Sequence, residues 1–234
     1  MQKYLIVGKH PVLEALKNKF KKIIKLYILE QNLNIIKKFN FKETEIVTKN
    51  FFNKILKNQN FLHQGFAAEI LSEKLDIKEV FNTDNIVILD GINDPRNQGA
   101  IFRNCIAFGI KHIILEKKFY NQESVAMHLA SSGASMILNI FQVTNINNII
   151  KDLKKKNFWI FGLDNNSKIE IHNFNFNKNK NVLILGSEGY GIRKNLKDKC
   201  DEIIKIEISN KIDSLNVSNA SAIALYELNK KNRP

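Results

Sequence analysis

Residues 182–191 read VLILGSEGYG, and this stretch decides the fold. Its first half is apolar without polar alternation, the pattern of a strand covered on both faces, as strands of parallel sheets are. Its second half places Gly186, Gly189 and Gly191 within six positions. Three glycines allow the backbone to approach a ligand closely or to take positive φ, and Glu188 adds a carboxylate. The spacing G-x-x-G-x-G is not the dinucleotide order G-x-G-x-x-G, and no suitable acidic residue ends a following second strand, so a nicotinamide site is a poor fit. The Gly-Lys-Ser/Thr of a phosphate-binding loop is also missing.

Working outward, the runs IVILD (86–90), HIILE (112–116) and WIFGL (159–163) have the same unbroken apolar character. Helical patterns lie between them. Ile101, Phe102, Cys105, Ile106 and Phe108 form one apolar face with Gly109 as a C-cap, and Ile146, Ile149, Ile150 and Leu153 form another, followed by a Lys-rich end that suits the helix dipole. From Ile86 onward the chain is therefore expected to be α/β with a mostly parallel sheet.

Two more loops follow strand-like runs. DGINDPRNQG (90–99) joins a strand to a helix that carries Arg103, where free backbone N–H groups favour anionic ligands. Asp94-Pro95 as turn chemistry and Gly99 as a packing glycine account equally well for this loop taken alone. Arginine is the sharper signal: the chain holds four Arg against 32 Lys, and Arg96 and Arg103 flank this loop. Where lysine is so freely supplied, arginine points to a need for its planar fork, as in phosphate or ribose recognition. The segment DSLNVSNAS (213–221) follows the strand-like Glu202 to Ile208 and leads into the helix SAIALYELNK. Helix capping explains any one of its small polar residues, but less well their recurrence.

Upstream, residues 1–75 carry 14 Lys and 6 Glu, a net +8 of the chain's +13. Such charge favours a polyanionic partner, because lysines near phosphates release condensed counterions. Solvated lysines and a Lys, Asn, Ile and Phe-rich composition explain any single residue equally well. The pattern alternates: helix near Val12 to Asn18, strand Lys25 to Leu29, helix Asn32 to Phe39, strand Glu45 to Thr48, helix Asn50 to Leu56, strand Gln64 to Leu71. A small α/β domain over 1–72 is expected, then a polar linker over 73–85 and a larger domain over 86–234. With 234 residues the chain can bury a sizeable core. No apolar run is long enough for a membrane span, the start MQKYLIVGKH lacks signal-peptide features, and a cytoplasmic protein is expected. Cys105 and Cys200 stand far apart with no ligand spacing, so no metal is expected and both are assigned to packing.

Together, the three loops resemble the three motifs of the TrmH-type branch of the SPOUT methyltransferases, over roughly Ile86 to Leu228. N-D-P-x-N-x-G followed by Arg is met at Asn93 to Gly99 with Arg103, G-x-E-G-x-G at Gly186 to Gly191, and S-L-N-V-S-x-A at Ser214 to Ala220. GKHPVLEAL and HQGFAAEI resemble the ribosomal-protein-like accessory domain of ribosomal RNA ribose methyltransferases in this branch, with Pro11 at a position that is more often small. The resemblance implies a deep trefoil knot, a homodimer and S-adenosylmethionine bound bent within the knot. Carried over, the cofactor contacts are Leu185, Gly186, Gly191, Ile206, Leu215 and Ser214, and the catalytic residues are Arg103, Asn97, Glu188, Ser214 and Asn216. The implied activity is methylation of a ribose 2′-hydroxyl in RNA, with a guanosine of 23S ribosomal RNA as target. A transfer RNA target and a noncatalytic RNA-binding or ribosome-assembly protein are the alternatives. A role for Arg103 as general base conflicts with an arginine pKa above about 12. Holding the ribose or its phosphate and lowering the hydroxyl's proton affinity electrostatically suits it better.

Overall fold

The computed structural model describes residues 3–72, 75–176 and 180–230. Its first half builds β1 (Lys3–Val7), α1 (Lys9–Lys17), β2 (Ile23–Ile28), α2 (Leu33–Ile36), β3 (Thr44–Ile46), α3 (Lys49–Ile55) and β4 (Phe66–Leu71). These strands form a four-stranded sheet in the order β1-β4-β2-β3, antiparallel except for the β2/β3 pair. The small α/β layer expected from the alternating pattern is present. Strand β1 was not anticipated, because a five-residue run at the chain start has no preceding element to set its rhythm. The helix expected over Asn32 to Phe39 is broken into a short α-helix flanked by 3₁₀ turns, ending at Asn40 with φ +48°. Asn and β-branched Ile, both weak helix formers, dominate that stretch. Pro11 sits in the first turn of α1, where its missing N–H costs nothing.

The second half adds β5 (Asn85–Asp90), α4 (Pro95–Ala107), β6 (His112–Glu116), α5 (Val125–Ala130), α6 (Ala134–Ile137), β7 (Asn139–Val143), α7 (Ile146–Lys155), β8 (Trp159–Leu163), β9 (Ile169–Glu170), β10 (Asn181–Gly186), α8 (Lys194–Lys197), β11 (Glu202–Lys205) and α9 (Val217–Lys230). A seven-stranded, wholly parallel sheet runs in the order β7-β6-β5-β10-β8-β11-β9. The four apolar runs of the sequence are β5, β6, β8 and β10. Their lack of alternation has a direct cause. Val87, Leu89, Leu183 and Leu185 point into a core shared with α4 and α9, while Ile86, Ile88, Val182 and Ile184 point into a second core shared with α7. Both faces are covered, so polar residues have no place on them.

The strand expected over Glu202 to Ile208 stops at Lys205, and α9 starts at Val217, four residues before the helix expected from SAIALYELNK. Gly109 takes φ +78° just past α4, as a C-terminal cap requires. Cys105 is buried in the core and Cys200 partly so, both unpaired, in keeping with packing roles. Of the polar segment after β4, residues 73 and 74 lie outside the described residues. The remainder carries a 3₁₀ turn over Ile77–Phe81 that buries Val80 in the core shared with α7.

The two sheets are joined through α5 and α6. Met136 belongs to the same apolar cluster as Ile6, Val12 and Leu26, and Asn18 Nδ2 donates to the Met136 carbonyl at 2.7 Å. Among the described residues no helix is long and apolar enough to cross a membrane.

Candidate active site

In the parallel sheet, β5 leads to β6 and β7 on one side, while β10, β8 and β11 lie on the other. The chain reverses its direction of winding between β5 and β10, and ligands of open α/β sheets bind at the carboxyl ends of strands flanking such a switch. Loops from the ends of β8, β10 and β11 surround a cavity of about 340 Å³ there. Leu163, Leu185, Ile206, Leu215 and Val217 supply apolar wall, and the glycine loop and Ser214 supply polar edge. Every residue carried over as a cofactor contact, Leu185, Gly186, Gly191, Ile206, Leu215 and Ser214, borders this one cavity.

The glycines have specific duties. Ser187 and Gly191 exchange backbone hydrogen bonds at 3.1 and 2.8 Å, closing a tight turn with Glu188, Gly189 and Tyr190 at its tip. A Cβ on Gly186 would lie 2.1 Å from the Gly191 carbonyl carbon, so only glycine permits this closure. Gly191 itself takes φ +62°.

The three motifs meet at the mouth. Asp94 caps α4 by accepting from the N–H groups of Arg96 and Asn97 at 2.8 and 2.9 Å, with Pro95 at the first helical position. Its neighbour Asn97 donates Nδ2 to Glu188 Oε1 at 3.0 Å. Asn216 donates Nδ2 to the same oxygen at 2.5 Å and to Asn97 Oδ1 at 3.1 Å. Asn216 also accepts at Oδ1 from the N–H of Ser218 at 2.9 Å, so the capping expected of this segment is met in a side chain that also joins two other loops. Asn97, Glu188 and Asn216 are thus brought together, with Ser214 on the adjoining cavity wall. Arg103 is not: it is exposed on α4, outside the cavity lining, and has no hydrogen bond or ion pair with the described residues. Gly99 is a packing glycine, since a Cβ there would stand 2.4 Å from the Met127 carbonyl oxygen of α5.

Sequence reasoning missed two polar groups. Asp164, just past β8, forms an ion pair with Lys197 of α8, and both border the cavity. Burial opposes ionisation of Asp164, but the Lys197 ammonium and N–H donation from Asn166 together hold its carboxyl below the usual range. Its place at a strand's carboxyl end was the available signal. Arg193 donates its backbone N–H to Asp90 Oδ2 at 2.8 Å, Nε to Asp90 Oδ1 at 2.6 Å and Nη2 to Glu116 Oε2 at 3.1 Å. Burial works against its charge, yet the two carboxylates raise its pKa above the ordinary arginine value. It ties the stretch after the glycine loop to the ends of β5 and β6. The scarcity of arginine, which singled out Arg96 and Arg103, applies to it equally.

Comparison with known proteins agrees with this geometry. Residues 84–226 match the model of the SpoU rRNA Methylase family, and residues 5–74 match that of RNA 2′-O ribose methyltransferase substrate binding. A Borreliella burgdorferi protein described as an uncharacterized tRNA/rRNA methyltransferase is 35% identical over 86% of this chain and 89% of its own length. A Staphylococcus haemolyticus protein placed in the TrmH family of tRNA/rRNA methyltransferases is 32% identical over 99% of this chain and 97% of its own. In fold the chain is similar to the AdoMet-bound rRNA methyltransferase of Sinorhizobium meliloti, with TM-score 0.84 and 19% identity over 99% of this chain and 88% of that one. The AviRb SpoU methyltransferase of Streptomyces viridochromogenes, solved with AdoMet, gives 0.83 and 18% over 98% and 90%. The match over more than half its length shows that the chain belongs to the SpoU rRNA Methylase family.

Proposed function

We propose that this RNA methyltransferase transfers a methyl group from S-adenosylmethionine to a ribose 2′-hydroxyl of ribosomal RNA, at a guanosine of 23S RNA. The observation that carries the reading is the junction of three distant loops through Asn97, Glu188 and Asn216 at the mouth of one apolar-walled cavity. The donor set fits the cofactor. Apolar surface from Leu163, Leu185, Ile206 and Leu215 suits a purine, exposed backbone of the glycine loop suits its polar edge, and the Asp164–Lys197 pair offers both signs of charge.

When bound, S-adenosylmethionine supplies an electrophilic methyl carbon on a sulfonium. The chain's own contribution is alignment, which carries most of the burden in such a transfer. The glycine loop fixes one wall, and the Asn97–Glu188–Asn216 link holds the RNA-side loop in register with it. Arg103, exposed on α4 outside the cavity wall, approaches from the RNA side in this reading, holding the ribose or its phosphate and stabilising charge growing on the oxygen. In this reading residues 1–72 bind the RNA, 73–85 connect, and 86–234 carry catalysis as a knotted homodimer in the cytoplasm.

The test incubates the protein with methyl-labelled S-adenosylmethionine and either unmodified 23S RNA or transfer RNA, then digests to nucleosides. Label in 2′-O-methylguanosine from 23S RNA is expected. Label only in transfer RNA would move the substrate assignment, label on a base would overturn ribose chemistry, and no calorimetric binding of the cofactor would leave a noncatalytic RNA binder.

A further inference from the structure

A second cavity, of about 750 Å³, lies in the N-terminal sheet domain, and its lining shares no residue with the one just described. Lys9 and Lys49 border it, with the side-chain amides of Gln31, Asn60 and Gln64 and the apolar Leu62. No carboxylate is among its lining residues. Each lysine is the first residue of its helix, α1 and α3, where a cation is unfavourable against the helix dipole. Neither has an ion-pair partner among the described residues. Leu62 presents an apolar side chain to solvent at the groove, 74% exposed.

The wall behind these groups is built and held. Asn32, 8% exposed, donates Nδ2 to the carbonyls of Gln64 and Gly65 at 3.0 and 3.2 Å. Those two residues take φ +51° and +77°, and a Cβ on Gly65 would stand 2.6 Å from Asn32 Nδ2. The His63 ring stacks on buried Phe52 with centroids 4.1 Å apart. Its Nδ1 accepts the Gly65 N–H at 3.0 Å, which leaves the neutral ring's proton on Nε2. Backbone strain at a non-glycine position persists only where surroundings fix it, and it concentrates at binding sites.

Cationic corners, amide donors and acceptors between them, and an exposed apolar side chain are the chemistry of a single nucleotide with its flanking phosphates. We infer that this groove receives one unstacked nucleotide of the substrate RNA, from a loop or bulge, with Lys9 and Lys49 on adjacent phosphates, the amides on the base edge and Leu62 against the base face. Paired RNA keeps its bases stacked and its major groove too narrow for side chains, so single-stranded loops are the accessible targets. The inference rests on the RNA-modifying reading above and names the feature of the substrate that the accessory domain selects.

Fluorescence anisotropy with an RNA hairpin carrying an eight-nucleotide loop, against a blunt duplex of equal length, tests it. Wild-type protein should prefer the hairpin. Lys9→Ala/Lys49→Ala should weaken hairpin binding at least about tenfold and flatten the salt dependence by about 1.4 to 1.8 in log–log slope, from two lost phosphate contacts. Lys37→Ala/Lys38→Ala, which removes equal charge from the same domain outside the groove, should bind as wild type does. Leu62→Ala should erode the preference for the loop at unchanged slope. All variants should keep wild-type calorimetric affinity for S-adenosylmethionine, and the groove variants alone should show a raised KM for RNA with kcat held. If the double lysine variant fails to fold, Leu62→Glu, on a side chain already in water, should weaken hairpin binding in its place. Groove variants that bind and methylate RNA as wild type does would overturn this inference alone. A wild-type protein that neither binds nor methylates any RNA would overturn the functional reading, and the groove's role with it.

Discussion

Replacing Arg193 with methionine keeps the apolar stem and removes the guanidinium that bridges two buried acids, Asp90 and Glu116, of which, among the described residues, Glu116 alone has a second cation, Lys118 at 3.6 Å. The Asp90 side chain is fully buried and that of Glu116 is 5% exposed, while Arg193 keeps 38% exposure. Removing one partner from a buried ion pair costs about 3 to 5 kcal/mol, because the remaining charge stays desolvated. Water can reach the vacated side, and this screening brings the cost to or below the low end of that range, about 2 to 3 kcal/mol. For a chain of this size that is a fall of roughly 5 to 10 °C in melting temperature. Part of the loss comes from Asp90, whose two oxygens accept the backbone N–H and Nε of Arg193. Adding Asp90→Asn removes one unpaired charge and leaves an oxygen for the backbone N–H, so the double variant should melt above Arg193→Met alone. Differential scanning calorimetry reads both, and cofactor titration should show weakened binding, since Arg193 anchors the stretch after the glycine loop. A single variant melting within about 1 °C of wild type, or a double variant that melts lower still, would refute the reasoning.

Three further outcomes are expected. His128 is buried, hydrogen-bonded to Ser135 and the Gln122 carbonyl, and burial pushes its pKa down to about 4. Because the unfolded chain takes up this proton near pH 6.5 and the folded one does not, its contribution is complete above pH 6.5. It is lost as pH falls toward 4, a change of roughly 3 kcal/mol. The melting-temperature gap between wild type and His128→Gln should therefore shrink from pH 7.5 to 4.5, and a constant gap would contradict the assignment. Asn216→Asp keeps an oxygen to cap α9 but sets a second carboxylate against Glu188. Circular dichroism should show unchanged helix content while turnover falls at least about tenfold. Arg103→Lys keeps charge and loses the fork, and near-wild-type turnover, rather than the expected fall of about tenfold, would exclude a geometric role.

Much of the parallel sheet was legible because burial on both faces leaves a plain signature: β5, β6, β8 and β10 are short apolar runs without polar alternation. β7 escaped notice since NIFQV offers neither an unbroken apolar run nor strict alternation, and β9 has only two residues. Arg193 and the Asp164–Lys197 pair were hidden for a different reason. Their partners lie 103, 77 and 33 residues away, and ion pairs carry no local periodicity. The residues of the cavity wall were legible through motif resemblance, not through spacing. What no single stretch could show is that one amide side chain, Asn216, both starts a helix and bridges two other loops.

The placement of Met136 inside the core of the N-terminal sheet has a consequence for how a target is chosen. An accessory module on a loose tether would let the methyl-transfer cleft sample many nucleotides around an anchoring point. Here the module shares a packed core with α6, so, with residues 1–72 as the proposed RNA anchor, the separation between anchor and cleft is set by packed protein and the molecule would measure its substrate like a caliper of fixed opening. RNA of the right local sequence but the wrong three-dimensional span should be held firmly and left unmodified.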